Sequence, residues 1–197
     1  MLRYLHKNWS HAGILIAVYV TLVLLCMACQ LDLFILLIWL QFPVYLVHEF
    51  EEHTYPGGFK QFVNKSVFSV YDQDIPLNDE RVFWINILAV WFLFPLTAIA
   101  AQFIHPALGL LTPCFSLMNA SFHIISGIVK RSYNPGLLAS IFLNYPLGVY
   151  ALYMAYCEGY LLSSCLAGAL FISFAVHIVM IGMAVYWYRS WLRKKII

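Results

Sequence analysis

The chain has 197 residues, 63% of them hydrophobic and 10% charged, with a formal net charge of +2 and a mean hydropathy of +0.81. Soluble domains carry about 25% charged residues, so this composition excludes an ordinary soluble protein. The basic residues are spread over connections and form no stripe, which argues for no nucleic acid partner. The reading is an all-α fold: one membrane domain over 1–197, a polytopic bundle of about six transmembrane helices.

A spanning helix needs roughly 20 predominantly apolar residues. In chain order, the stretches that qualify are 11–29, 33–50, 82–103, 106–129, 136–157 and 160–188. The first follows Arg3 and Lys7 as a secretory leader would, but its apolar run is too long for one. A second apolar segment begins after only Gln30 to Asp32, so the pair reads as a helical hairpin. Pro43, Pro95, Pro113 and Pro146 interrupt spans, which membrane helices tolerate when neighbouring groups satisfy the freed backbone.

The long connection is 54–80. Within it Phe59, Phe62, Val63, Val67 and Phe68 are spaced like one face of a short helix, with Lys60, Asn64 and Lys65 elsewhere. That pattern predicts an interfacial helix, followed by an acidic stretch from Asp72 to Glu80. Such a segment is either a surface connector or a lid over a site.

Orientation follows from Lys and Arg placement. Arg3 and Lys7 lie at the N-terminus; Lys60, Lys65 and Arg81 lie between the second and third spans. Lys130 and Arg131 lie between the fourth and fifth, and Arg189, Arg193, Lys194 and Lys195 lie at the C-terminus. All 11 basic residues thus fall on one side of a six-span arrangement, which predicts both termini cytoplasmic, in a plasma membrane or a bacterial inner membrane. Of the cysteines, Cys26 and Cys29 sit on a hydrophobic helix with no second pair and read as packing residues. Cys157 and Cys165 flank a short outer loop and could pair in an oxidising compartment.

The second span ends in His48-Glu49-Phe50-Glu51-Glu52-His53, five titratable residues in six positions. Charged groups in a membrane cost a few kcal/mol or more and usually mark function. At 3.6 residues per turn, His48, Glu51 and Glu52 fall on one face, while Glu49 and His53 form a second pair rotated away from it. His48-x-x-Glu51-Glu52 has the spacing of an H-x-x-E-H metalloprotease motif with Glu in place of the last His. The fourth span carries Asn119 and His123, again four apart, at a similar depth from the same side of the membrane. Asn86 lies near the same end of the third span, as a ligand group or a helix contact. His177 lies too deep on the sixth span to join without a kink and reads as a packing residue. Arg131-Ser-Tyr133-Asn-Pro135-Gly136 reads as the turn that starts the fifth span.

His48-Glu-Phe-Glu51-Glu52, then Asn119-x-x-x-His123, then Arg131-Ser-Tyr-Asn-Pro135-Gly136 together resemble the small integral-membrane family named for its HXXEE motif. The three blocks cover roughly the middle half of the chain. The resemblance implies that His48, Glu51, Glu52, Asn119 and His123 belong together, and it implies an enzyme without naming a substrate. His53 stands outside the family pattern.

Three functional readings fit these residues. In the first, a divalent metal, zinc by the chemistry of the ligands, is held by His48, Glu52 and His123. Glu51 acts as general base and Asn119 orients a ligand or polarises the substrate, making a hydrolase of a lipid or a membrane-proximal peptide at the cytoplasmic leaflet. In the second, Glu51 and Glu52 activate water without metal, as in the glutamate-type intramembrane proteases, although the Arg those enzymes carry four positions on is replaced here by Tyr55 or Pro56. The third is a carrier or proton relay, against which the absence of a repeat between the halves counts modestly. A di-iron site is disfavoured because the E-x-x-H interval is missing.

Overall fold

A computed structural model describes residues 2–71 and 73–196; Asp72, part of the expected acidic stretch, lies outside the described residues. Among the described residues the fold is helical throughout, and six of its helices are long and apolar enough to cross a membrane. They are α1 (Leu2–Met27), α2 (Leu33–His53), α4 (Asp79–Phe103), α5 (Pro106–Lys130), α6 (Leu137–Cys157) and α7 (Ser163–Ile196), with a short helix α3 over 59–67 between α2 and α4. Every expected span is present. The clearest differences are at the ends of the chain, where α1 begins nine residues earlier than the apolar run and α7 continues to Ile196. Once a helix is nucleated, each added residue gains a hydrogen bond, so helices run past their apolar limits into polar flanks.

Local chemistry sets the boundaries. Asp32 caps α2, its Oδ1 accepting from the Phe34 and Ile35 amides at 2.9 and 3.4 Å. Asn78 caps α4 by accepting from the Arg81 amide at 2.8 Å. Two prolines leave a mark inside spans: Ile87–Phe92 and Ser140–Asn144 are wide π-type turns that lead into Pro95 and Pro146. Proline lacks an N–H and crowds the carbonyl four residues back, so the helix widens before it.

Lipid tails are as apolar as leucine, so helices in a bilayer associate through close packing and polar contacts. Small residues provide the packing: Ala98, Ala101, Ala120, Ala151 and Ala155 are buried between helices. At Gly148 of α6 a Cβ would come within 2.7 Å of Leu117 Cγ on α5. The central core gathers Tyr45, Leu46, Phe94 and Phe115 beneath α1, α2, α4 and α5. Outward of it lies a second cluster around Phe34, Ile38 and Leu110.

Aromatic contacts bring the basic ends of the chain together at one end of the bundle. His6 of α1 lies 4.8 Å from Phe83 of α4, Phe68 lies 5.1 Å from Tyr188 of α7, and the Lys130 ammonium lies 4.4 Å over Phe62. The 54–78 connection is folded down onto this end. Asn64 is buried and exchanges two hydrogen bonds with the Leu77 backbone, at 2.8 and 2.9 Å. Lys60 reaches Asp79 at 2.7 Å and Asp74 at 2.9 Å. Burial alone would lower the Lys60 pKa, but hydrogen bonds and charge from Asp79 and Asp74 outweigh it and hold the amine above its ordinary value. All five cysteines are free thiols, so the pairing of Cys157 with Cys165 is not made. Cys165 packs against the outer core while Cys157 is exposed, and the two side chains occupy different surroundings.

Candidate functional site

The last two turns of α2 carry the polar cluster into the bundle. His48 and Glu49 have no exposed surface, Glu52 is 4% exposed, and His123 of α5 is 6% exposed. His48 Nε2 stands 3.6 Å from Glu52 Oε2, and His123 Nε2 stands 3.1 Å from Glu52 Oε1. One ligand atom from each of His48, Glu52 and His123 lies within 4.8 Å of the others. The depth match read from the sequence therefore corresponds to a real juxtaposition, with the two imidazole rings 4.9 Å apart and nearly perpendicular.

These residues fit a divalent metal on three counts. Donor atoms bound tetrahedrally at about 2.0–2.2 Å lie about 3.3–3.6 Å from one another; here each histidine nitrogen faces a different Glu52 oxygen, at 3.6 and 3.1 Å, and one atom from each residue falls within 4.8 Å of the others. Both nitrogens of His48 and Oε1 of Glu52 are buried without a hydrogen-bond partner. Buried polar atoms of this kind are rare and call for an ion, a water or a ligand to account for them. Finally, His123 is oriented by its neighbour. Asn134 Nδ2 donates to the His123 carbonyl oxygen at 2.9 Å, which turns Asn134 Oδ1 toward His123 Nδ1 at 2.8 Å. Flipping the amide would set two acceptors face to face, so Nδ1 carries the hydrogen and donates to Asn134. On the neutral ring Nε2 is then left with a lone pair directed at the cluster, the arrangement that holds metal-ligating histidines in place.

Glu51 takes a different place from the one its sequence spacing suggests. Successive residues on a helix are rotated by about 100°, and this step separates Glu51 from Glu52. Glu52 turns to the histidines, whereas Glu51 turns to the start of α6. There its Oε1 accepts from the Tyr133 hydroxyl at 2.8 Å and the Leu138 amide at 3.0 Å. Its Oε2 accepts from the Ala139 amide at 2.6 Å. A carboxylate at a helix N-terminus satisfies free amides and is favoured by the helix dipole. The carboxylate expected to act as general base is thus occupied in this structure as a cap on α6. Tyr133 stays protonated as a donor, because burial and then the Glu51 carboxylate push its phenol above the usual range.

Asn119 lies one turn outward of His123 on α5, half-buried, with Oδ1 unpartnered, and it lines a cavity rather than joining the ligand cluster. Glu49, rotated away from His48 around α2, accepts from Trp91 Nε1 at 2.9 Å. His53 joins the cluster from the C-terminal end of α2: its Nε2 lies 3.5 Å from Glu52 Oε2 and 3.4 Å from Asn86 Nδ2. Asn86 also donates to the Val82 carbonyl at 2.8 Å, so it is both a helix contact and a site neighbour.

The residues that the sequence marked only as a turn, and not as part of the site, come from the α5–α6 connection. Gly136 has φ +95°, and a Cβ there would lie 2.7 Å from His48 Cε1 and 2.9 Å from both Glu52 Cγ and His123 Cε1. The turn backbone thus closes directly over the cluster, which only glycine permits. Asn134 and Gly136 were legible as turn residues; that the turn is folded back onto α2 was not.

A cavity of about 390 Å³ opens beside the cluster, between α2, α4, α5 and α7. Glu52, His123 and Asn134 form its polar end, and Phe59, Phe62, Val63 and Phe68 of the α3 segment roof it. The connection therefore covers the cavity as the lid reading anticipated.

A six-span bundle with a buried two-histidine, one-carboxylate cluster under an Asn–Pro–Gly turn defines the class of protein structurally. The profile of the family described as proteins of unknown function with an HXXEE motif matches residues 39–151, and the chain belongs to that family. No curated protein and no solved structure matches the chain.

Proposed function

We propose that the protein is a membrane-embedded, metal-dependent hydrolase that acts on a lipid or membrane-proximal substrate at the cytoplasmic leaflet. The observation that carries this reading is the convergence of His48, Glu52 and His123, with buried donor atoms that lack protein partners. A His2Glu set suits zinc, and a zinc ion so held acts as a Lewis acid and promotes ionisation of water at neutral pH. The placement of the basic residues toward one end of the bundle supports cytoplasmic termini and, with them, a site and α3 roof at the inner leaflet.

In the reaction proposed, the oxygen of water bonds to the carbonyl carbon of an ester or amide and the bond to the leaving group breaks. The proton released by water passes to His53, which stands beside Glu52, and from there to the leaving oxygen or nitrogen. Glu52 and His48 hold the ligand geometry, Asn134 fixes the tautomer of His123, and Asn119 faces the substrate in the cavity. Glu51 builds the site without entering the chemistry.

Elemental analysis of the detergent-purified protein tests this reading. The expected result is one divalent ion per chain, lost when Glu52→Gln is combined with His123→Ala and kept in Glu51→Gln. A wild-type protein that neither contains zinc nor takes it up on dialysis would overturn the proposal and turn attention to metal-free chemistry.

A further inference from the structure

The cavity has a second polar point that the metal cluster does not use. His177 of α7 was expected to be a packing residue, yet it lines the cavity wall and is only 4% exposed. Its ring lies 4.6 Å from Phe115 and 5.7 Å from Phe122, centroid to centroid. Its Nδ1 faces the Ser173 carbonyl oxygen at 2.7 Å and can only donate there. On the neutral ring this leaves Nε2 as an acceptor, and Nε2 is buried with no hydrogen-bond partner. Asn119 Oδ1 is a second unpartnered acceptor in the same cavity.

Depth places this pair relative to the cluster. His177 packs between Phe115 and Phe122, level with Asn119, and Asn119 precedes His123 by four residues on one helix. At 1.5 Å per residue the pair lies about 6 Å further into the membrane than His123. The remaining wall is mostly apolar, with Phe59, Phe62, Val63, Met180 and Ile181 among its residues. Among the described residues that line it, none is Lys or Arg; the Lys130 ammonium is at the rim, over Phe62.

We infer that the cavity binds an uncharged lipid that carries a hydrogen-bond donor, a hydroxyl or an amide N–H, which His177 Nε2 and Asn119 Oδ1 accept one helical turn from the metal cluster. A buried acceptor left without its donor is costly, so such a site rejects a ligand that lacks the donor far more strongly than one that lacks a methylene. An anionic phosphate headgroup is disfavoured at this pair because it brings acceptors to acceptors and meets no Lys or Arg on the cavity wall. The cavity volume falls within the roughly 300–1,000 Å³ typical of small-ligand pockets. The inference rests on the hydrolase reading only for the name of substrate; the binding selectivity stands apart from it.

The test uses photo-crosslinking to the full-length protein in nanodiscs with probes that share one diazirine-bearing alkyl chain. The probes are a monoalkylglycerol, its dimethyl ether, the matching alkyl glycerol phosphate, and a primary amide of the same chain. The expected result is labelling of cavity residues by the monoalkylglycerol and the amide at least ten-fold above the dimethyl ether and the phosphate. His177→Phe should bring the monoalkylglycerol down to the level of the ether while leaving ether labelling and metal content unchanged. Equal labelling by glycerol and ether probes in the wild type, or strongest labelling by the phosphate, would overturn the inference. Running the series on His123→Ala separates the two proposals: donor selectivity that survives without bound metal supports this site by itself, and bound metal without donor selectivity refutes it while leaving the metal centre standing.

Discussion

Glu51 and Glu52 are neighbours in the chain, identical in type and both nearly excluded from solvent, yet they serve two different regions of the molecule. On the α6 side, Glu51 meets two backbone amides and a phenol, so each of its oxygens has a donor. On the α5 side, Glu52 meets three imidazoles, and its Oε1 lacks a hydrogen-bond partner. The first region is complete as protein. The second leaves buried donor atoms without a protein partner, open to a ligand. A paired carboxylate motif can thus be one cap and one ligand, and the 100° helical step between the two residues is enough to divide the roles.

The largest way to break this division is at the turn that touches both regions. Gly136→Ala places a Cβ against His48, Glu52 and His123 at a positive φ. It should cost roughly 3 kcal/mol or more through overpacking and backbone strain. The expected outcome is loss of bound metal with a clear fall in melting temperature in detergent. A variant that keeps both would mean the turn does not close over the cluster.

A sharper and smaller perturbation is Glu51→Gln. The amide oxygen keeps part of the cap, but the charge-assisted bonds to α6 are lost, at about 1.5–3 kcal/mol. Thermal unfolding should reveal the loss while zinc content stays at the wild-type level. Should Glu51→Gln instead preserve stability and abolish metal binding, the assignment of the two carboxylates would be reversed.

Tyr133→Phe removes a single donor to Glu51 and should cost about 0.5–1.5 kcal/mol. Because the phenol is held above its usual pKa, protonated Tyr133 is the form that donates to Glu51 and contributes stability. That contribution is present below the unfolded phenol's pKa of about 10 and is lost only as pH rises through the higher folded value. The stability difference between wild type and Tyr133→Phe should therefore be flat from neutral pH to about pH 10; a difference that vanishes in that window would show that Glu51 is not its acceptor.

Much of the fold was legible because membrane insertion reads composition. Runs of apolar residues gave the six helices, whereas the caps supplied by Asp32 and Asn78 emerged only in the structure. The pairing of the α2 motif with His123 could be anticipated because both lie at similar distances from the same membrane face. His53 and His177 were harder. Each was placed by its position along a helix, whereas what decides its neighbours is the rotation of that helix and the close approach of another.

The sequence by itself determined that this chain is a helical membrane protein, where its helices run, and that His48, Glu52 and His123 could meet. These follow from local chemistry: apolar length, helical period and basic flanks act within one segment. Tertiary structure alone decided that Glu51 caps α6, that Asn134 orients His123, that Gly136 seals the cluster, and that His177 faces a cavity under α3. Those outcomes depend on which face of each helix meets its neighbours and on a turn folding back more than 80 residues along the chain. No periodicity within a single segment carries that information, because it is fixed by packing between segments.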